Sequence, residues 1–130
     1  MKRLISALAA AGLAFGAAVP GIAAAQEFPA KPVRIIVPYP PGGTTDMVAR
    51  LIGDQLAIQW KQTVLVDNRP GAGGIVGTGT AAKSPADGYT LLMGSVGEFG
   101  INPTLYKKLP YDAGADFVPV TMVAKVPNVV

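Results

Sequence analysis

The side chains that usually carry out catalysis are scarce in this sequence. It contains no cysteine and no histidine, which excludes a thiol nucleophile, an imidazole general base and the common zinc ligand sets. Ser95 would need glycine two positions earlier to form a nucleophile elbow, and Met93 stands there. Asp46 and Asp54 can share a face, as on an ordinary solvated helix, but no two carboxylates are spaced for acid–base work. We therefore expect no catalytic residue and no metal.

Neutral hydrogen-bond donors are concentrated in the first of three glycine-containing segments, residues 38–46, which read PYPPGGTTD. Three prolines stiffen this first segment, and two glycines allow positive φ and close approach of a ligand to the backbone. The amides of the helical turn that follows favour an anion, and Thr44 and Thr45 add hydroxyls. A tight turn with a helix N-cap and no ligand is an equally good interpretation. Asp46 is expected to complement the helix dipole rather than to touch an acidic ligand.

The second segment, residues 67–74, invites comparison with nucleotide-binding fingerprints. Val76 breaks the pattern G-x-G-x-x-G, and a looser match at residues 77–82 lies inside a predicted helix instead of directly after a strand. No glycine precedes a lysine, so a Walker A motif is absent. We therefore expect no nucleotide and no other cofactor, and we expect Arg69 to be a surface or structural charge.

The third segment, residues 94–102, offers small residues, one hydroxyl and one acid. Ser95 is expected to contact a ligand through its hydroxyl. Glu98 has two interpretations. It either points to solvent or faces the ligand, where its charge would disfavour a dianion and would suit a ligand that carries a donor.

The elements that must position these segments alternate between strands and helices. Strands are predicted at 33–37, 63–66, 89–93 and 117–126, helices at 45–59, 74–83 and 102–106, and a loop at 94–100. The strands are apolar on both faces, which is typical of a parallel sheet with helices on both sides. Ligands bind at the carboxyl ends of such strands, where the three segments begin. Trp60 and Tyr111 are expected to pack rather than to bind.

Residues 1–25 have the pattern of a secretory signal peptide. Lys2 and Arg3 precede an apolar stretch, and Ala23 and Ala25 form a small-residue cleavage site. The stretch is too short to span a membrane, so we expect export to the periplasm and no stable membrane anchor after cleavage. Removing these two basic residues lowers the formal net charge from +3 to +1, and we therefore expect no nucleic acid partner.

Four motifs stand in order along residues 26–130. They are VPYPPGGTTD at 37–46, VDNRPGAGG at 66–74, SPADGYTLL at 84–92 and INPTLYKKLPYD at 101–112. Together they strongly resemble the solute-binding receptors of tripartite tricarboxylate transporters, the Bug family. Lys61 stands where this family usually closes its first helix with glycine, and Phe99 stands where it often has histidine.

The resemblance implies an α/β fold, the parallel-sheet lobe of a type II periplasmic binding protein. Residues 26–130 would form an incomplete first lobe, with the second lobe missing. The implied function is capture of small organic acids, as carboxylates, for a membrane permease, with backbone groups and waters making much of the contact. With one wall of the cleft, the chain is expected not to bind a ligand tightly by itself.

By position, the cleft of the family corresponds to the first and third segments. The candidate ligand contacts are Tyr39, Pro40, Gly42, Gly43, Thr44, Thr45, Asp46, Ser95, Val96, Gly97, Glu98 and Asn102. Two other functions stay open at this point: an exported α/β enzyme, and a module that docks on a permease or sensor without a ligand of its own.

Overall fold

A computed structural model describes residues 27–125, and the signal-peptide prediction for residues 1–25 lies outside them. The described chain forms a parallel sheet of three strands in the order β2-β1-β3. Its elements are β1 (Val33–Val37), α1 (Thr44–Trp60), β2 (Val64–Asn68), a 3-10 turn (Ala72–Gly74), α2 (Ile75–Ala82), β3 (Thr90–Leu92), a π-helical turn (Gly97–Ile101) and α3 (Asn102–Leu105). The α/β class and the parallel sheet are confirmed.

β1 is the centre of the fold because its side chains are apolar on both faces. Val33, Ile36 and Val37 are fully buried, and Ile35 is nearly so. The strand pairs in register with both neighbours, so that Ile35 lies opposite Val66 of β2 and opposite Leu91 of β3. A strand in this position must bury both faces, which accounts for the β-branched residues at all of its positions except Arg34.

The two longer helices cover opposite faces of the sheet, as predicted. Ile35 and Val37 pack against Ala49 of α1. The guanidinium of Arg34 donates to the hydroxyl of Ser84, just beyond α2, at 3.2 Å. Because neighbouring residues of a strand point to opposite faces, α1 and α2 lie on different sides of β1.

The predicted fourth strand is wrong for the part of it that the structure describes. Residues 117–125 form no strand. Val118 and Val120 are more than four-fifths exposed, and Pro119 has no amide proton to donate to a neighbouring strand. An apolar composition favours a strand only where a partner strand is available, and this stretch has none among residues 27–125.

The third segment is more ordered than the predicted loop. A π-helical turn over Gly97–Ile101 leads directly into α3, and the Asn102 amide donates to the Gly97 carbonyl. Pro103 cannot donate the next helical hydrogen bond because it lacks an amide proton. Single π-turns of this kind are frequently found at functional sites.

α1 extends one residue beyond its predicted limits at each end. Lys61 closes it in the left-handed conformation, with φ of 52°. Glycine adopts this conformation at lower cost than lysine. The site is carried by the other end of this helix.

Candidate functional site

The three segments meet at one edge of the sheet, where the parallel strands end. The Asn68 side-chain amide, at the end of β2, donates to the Tyr39 carbonyl at 3.1 Å. The Tyr39 and Ser95 hydroxyls are hydrogen-bonded at 3.0 Å. Asn102 in turn donates from its side chain to the Gly73 carbonyl at 3.0 Å. These three bonds join the first, second and third segments into one connected surface.

Within the first segment, the Asp46 carboxylate is turned into the protein. It accepts hydrogen bonds from the Gly42 amide at 2.8 Å, from Arg50 Nε at 3.0 Å and from Asn68 Nδ2 at 2.9 Å. Only 3% of the residue is exposed. The expectation of an ordinary solvated helix face is therefore wrong at Asp46, whose side chain fixes the loop to the helix and to β2.

The same donors set the acidity of Asp46. Its hydrogen bond from Arg50, followed by those from Gly42 and Asn68, lowers the pKa of the carboxyl group from 3.8 to about 2. Arg50 also forms an ion pair with Asp46 at 3.0 Å. The negative charge of the first segment is therefore neutralised locally by a positive charge on the next turn of α1.

The donors that remain in the first segment lie at the start of α1. Among the described residues, no acceptor is hydrogen-bonded to the amides of Gly43, Thr44 and Thr45 or to the two threonine hydroxyls. Gly42 has φ of +89°, and a Cβ built there meets no atom within 4 Å. A Cβ on Gly43 would have only the Pro40 carbonyl oxygen nearby, at 3.8 Å. The loop is therefore open around its two glycines, which directly precede the donors at the start of α1.

The third segment is organised around Ser95. Its amide and its hydroxyl both donate to Glu98 Oε2, at 2.7 and 2.9 Å. The Ser95 hydroxyl oxygen also accepts a hydrogen bond from the Gly97 amide at 3.2 Å. The same oxygen is hydrogen-bonded to the Tyr39 hydroxyl at 3.0 Å. Burial, and next the adjacent Glu98 carboxylate, raises the pKa of the Tyr39 hydroxyl above its usual value. Every donor of Ser95 is thus engaged inside the protein.

Glu98 neither points to solvent nor faces the open edge, so both interpretations of this residue are corrected. The whole residue is buried, with 0% exposure. Its side chain fills a notch beside Gly74, where a Cβ would overlap Oε1 and would lie 3.0 Å from Cδ. Gly74 has φ of +87°, which suits a residue without a side chain. Among the described residues, Oε1 has no hydrogen-bond partner.

Asn102 is also an internal residue, with 5% exposure. Besides the Gly73 carbonyl it reaches the Tyr111 hydroxyl, at 3.5 Å, and that hydroxyl donates to the Glu98 carbonyl at 2.9 Å. Tyr111 therefore packs, as predicted, and it also holds the π-helical turn. The remaining candidates differ in position: Pro40 and Val96 are exposed, and Gly97 is half-buried.

The supposed nucleotide fingerprint has a packing explanation. A Cβ on Gly77 would lie 2.7 Å from the Arg69 carbonyl oxygen and from Pro38 Cα, so glycine lets α2 contact the first two segments. The Arg69 guanidinium bonds both oxygens of Asp67 at 3.0 Å, as expected of a structural charge. Trp60 stacks edge-on against Phe28, with ring centroids 5.8 Å apart.

Two residues of this edge were missed at the sequence level. Asn68 is not among the predicted ligand contacts, although a side-chain amide just beyond the carboxyl end of a predicted strand is a usable signal. Gly74 is predicted only as the end of the second segment and the start of a helix, and nothing in the nearby sequence connects it with Glu98.

The open groups of this edge are hydrogen-bond donors at the start of α1. Among residues 27–125 there is no group of three acids, histidines or cysteines that could hold a metal ion. Within the same range, no helix has the length and hydropathy needed to cross a membrane. In the first segment, neutral donors at the start of α1 have no hydrogen-bond acceptor among the described residues. In the third segment, the Ser95 donors are bonded to Glu98.

Comparison with known proteins gives a consistent family. Residues 48–130 match the family described as tripartite tricarboxylate transporter family receptor. BugT of Bordetella pertussis is 47% identical over 116 residues, covering 86% of this chain and 36% of BugT. A protein from the tcbD-tcbE intergenic region of Pseudomonas sp. strain P51 is 42% identical, covering 80% of this chain and 31% of that protein. The chain thus spans about a third of the length of these curated relatives.

Solved structures that are similar to this chain are periplasmic solute-binding proteins of the same kind. MatC from Rhodopseudomonas palustris, with bound malate, is 38% identical with a TM-score of 0.70, covering 74% of this chain and 33% of MatC. R. palustris Rpa4515, with adipate, is 40% identical with a TM-score of 0.65, covering 68% of this chain and 29% of that chain. The periplasmic binding protein BugD is 36% identical with a TM-score of 0.62, covering 69% of this chain and 30% of BugD. The fold is therefore that of periplasmic binding proteins of this kind.

Proposed function

Because the chain belongs to the tripartite tricarboxylate transporter receptor family, we propose that it captures a small organic acid in the periplasm for a membrane permease. In this proposal residues 26–130 supply one lobe of a two-lobed receptor. The ligand is a carboxylate, the class to which malate in MatC and adipate in Rpa4515 belong. No cofactor, metal or nucleic acid takes part.

The observation that carries the proposal is the open donor set of the first segment. The amides of Gly43, Thr44 and Thr45 lie at the start of a 17-residue helix, where the helix dipole adds a partial positive charge. Asp46, the acid nearest to them, is neutralised by Arg50 and turned inward. A ligand carboxylate at this position would therefore meet donors without meeting an unpaired negative charge.

The positions of the other candidates support distinct roles. Tyr39, Asp46, Ser95, Glu98 and Asn102 hold the segments in place through the bonds already described, whereas Pro40, Gly42, Gly43, Thr44, Thr45, Val96 and Gly97 are the residues available to line a cleft. Binding of this kind depends on a preformed backbone geometry, because amide donors cannot be reoriented as side chains can.

The test is calorimetry with the protein at the full length that its gene encodes, against a panel of mono-, di- and tricarboxylates. Gly43→Val should abolish binding, because the added methyl groups occupy the open side of the loop where the ligand meets the backbone. Its Cβ has no close neighbour and its φ is −78°, so the fold should be retained.

Thr63→Val is the control, because Thr63 is exposed and precedes β2 at the opposite edge of the sheet. It should bind as the wild type does. Unchanged affinity in Gly43→Val would remove the first segment from the site, and failure of the wild type to bind any carboxylate would refute the proposed function.

A further inference from the structure

Glu98 is a buried acid without a counter-charge. It forms no ion pair with any described residue, and one of its carboxylate oxygens has no hydrogen-bond partner among them. Burying a charged group is costly unless it is paired. A carboxylate in this environment therefore needs the two donors it has, the amide and the hydroxyl of Ser95.

The consequence for a ligand follows from hydrogen-bond capacity. A serine has one amide proton and one hydroxyl proton, and Glu98 accepts both of them from Ser95. The Ser95 oxygen further accepts the Gly97 amide at 3.2 Å. The Glu98 carboxylate is therefore bound to the Ser95 donors that could otherwise bind the carboxylate of a ligand.

Charge acts in the same direction. In the first segment Asp46 is paired with Arg50 at 3.0 Å, whereas Glu98 has no cationic partner among residues 27–125. A second negative charge brought to the third segment would meet the field of Glu98, weakly screened because the residue is buried.

From these observations we propose that Glu98 is a specificity-determining positioning residue, a built-in carboxylate that occupies the donors of the third segment. It acts through Ser95 and does not touch the ligand. The preferred ligand then has one carboxylate, bound by the first segment, and an uncharged end facing the third segment, such as an amide or a hydroxyl. This inference rests on the proposed receptor function.

The experiment compares a diacid with its monoamide on the protein at the full length that its gene encodes. Adipate and adipate monoamide differ only in the charge and donors of one end. By calorimetry at pH 7, the wild type should favour the monoamide about tenfold, a preference worth about 1.4 kcal/mol. Glu98→Ala, which frees both Ser95 donors, should remove or reverse that preference.

Two further variants keep the test interpretable. Glu98→Gln preserves the size of the buried side chain and removes its charge, so it should give an intermediate ratio even if the alanine variant does not fold. Asp54→Asn removes an equal charge from an exposed position of α1 and should leave the ratio unchanged.

A measurement without ligand tests the internal bond separately. Amide hydrogen exchange at Ser95 should be slow in the wild type and at least about tenfold faster in Glu98→Ala, because the bond to Oε2 is lost. Exchange at the rate of an unprotected amide in the wild type would overturn the proposal, whatever binds.

The remaining outcomes separate this inference from the receptor function. If both ligands bind and neither Glu98 variant changes their ratio, the role of Glu98 is refuted while the receptor function stands. If the wild type binds no carboxylate, both are refuted.

Discussion

The first and third segments have similar compositions and opposite organisation. Each contains glycine, at least one hydroxyl group and one acid, and each follows a strand of the same parallel sheet. In the first segment the acid, Asp46, is held inside by Arg50 and Asn68, so the amides of Gly43 and its neighbours are left open. In the third segment the acid is Glu98, which accepts hydrogen bonds from both the amide and the hydroxyl of Ser95. These are the donors that a ligand would otherwise use.

The difference shows that composition does not determine whether a loop presents donors. What matters is which groups the acid of the loop is bonded to. In the first segment, that acid accepts one amide of the loop, from Gly42, together with side-chain donors of Arg50 and Asn68, and it leaves the other loop donors open. In the third, both donors that the acid accepts belong to Ser95, so this residue has no donor left for a ligand.

The largest effect is expected where the third segment packs against the second. Gly74→Ala should destabilise the fold by about 2–3 kcal/mol, because φ of +87° is strained for alanine and the new Cβ overlaps the Glu98 carboxylate. Gly43→Ala, in the open first segment, should change the free energy of unfolding by less than about 0.5 kcal/mol. Urea denaturation of both variants measures the contrast. Equal effects would contradict the distinction between a packed and an open segment.

The next prediction uses pH to remove the anchor of the first segment. The folded-state pKa of Asp46 is about 2, below its ordinary 3.8, so its carboxylate stabilises the fold above about pH 4. That contribution is lost as the pH falls toward 2. Asp46→Asn should therefore destabilise the protein at neutral pH, and its difference in unfolding free energy from the wild type should shrink between pH 4 and pH 2.

The control for this titration is Asp54→Asn, on the exposed side of the same helix. It removes a carboxylate of the same helix that has no hydrogen-bond partner among the described residues, and it should leave the free energy of unfolding at neutral pH as it is in the wild type. A pH profile of Asp46→Asn that runs parallel to the wild type would show that this carboxylate does not anchor the loop.

A third prediction tests the hydroxyl donors of the first segment and depends on the proposed function. Thr44→Val removes a hydroxyl and keeps the shape of the side chain. If that hydroxyl donates to a ligand carboxylate, affinity should fall about tenfold or more, the range expected for a hydrogen bond to a charged group. Calorimetry should show no such loss for Thr63→Val at the opposite edge. Wild-type affinity in Thr44→Val would leave the backbone amides and the Thr45 hydroxyl as the donors of this segment.

A smaller, stabilising effect is expected at the far end of the helix that carries the open segment. Lys61 has φ of 52°, so Lys61→Gly should stabilise the fold by about 0.5–1 kcal/mol through relief of backbone strain. Ligand affinity should stay the same, because Lys61 lies at the opposite end of α1 from the first segment. The variant would therefore show that overall stability can change without a change in ligand binding. A loss of stability on thermal unfolding would show that the lysine side chain contributes more than its backbone costs.

The elements of this fold could be predicted because their signals are local. The β-branched run at 33–37, the helical spacing of apolar residues in α1 and the proline and glycine turns all lie within a few residues of one another. They led to the correct order of the first three strands and their helices, and the site at the carboxyl ends of those strands stays a prediction. They failed at 117–126, where an extended apolar stretch lacks a partner strand, and at Gly97–Ile101, where a π-helical turn replaces a predicted loop.

The sequence by itself determined the parallel α/β lobe, the absence of thiol and imidazole chemistry, and the three segments at the carboxyl ends of the strands. The tertiary structure alone decided which acid of those segments faces inward and which donors stay open. The Tyr39–Ser95 bond joins residues 56 positions apart, and the notch for Glu98 is formed by Gly74 in a different segment. Contacts of this range depend on the folded arrangement of three strands, and no local pattern of residue types records them.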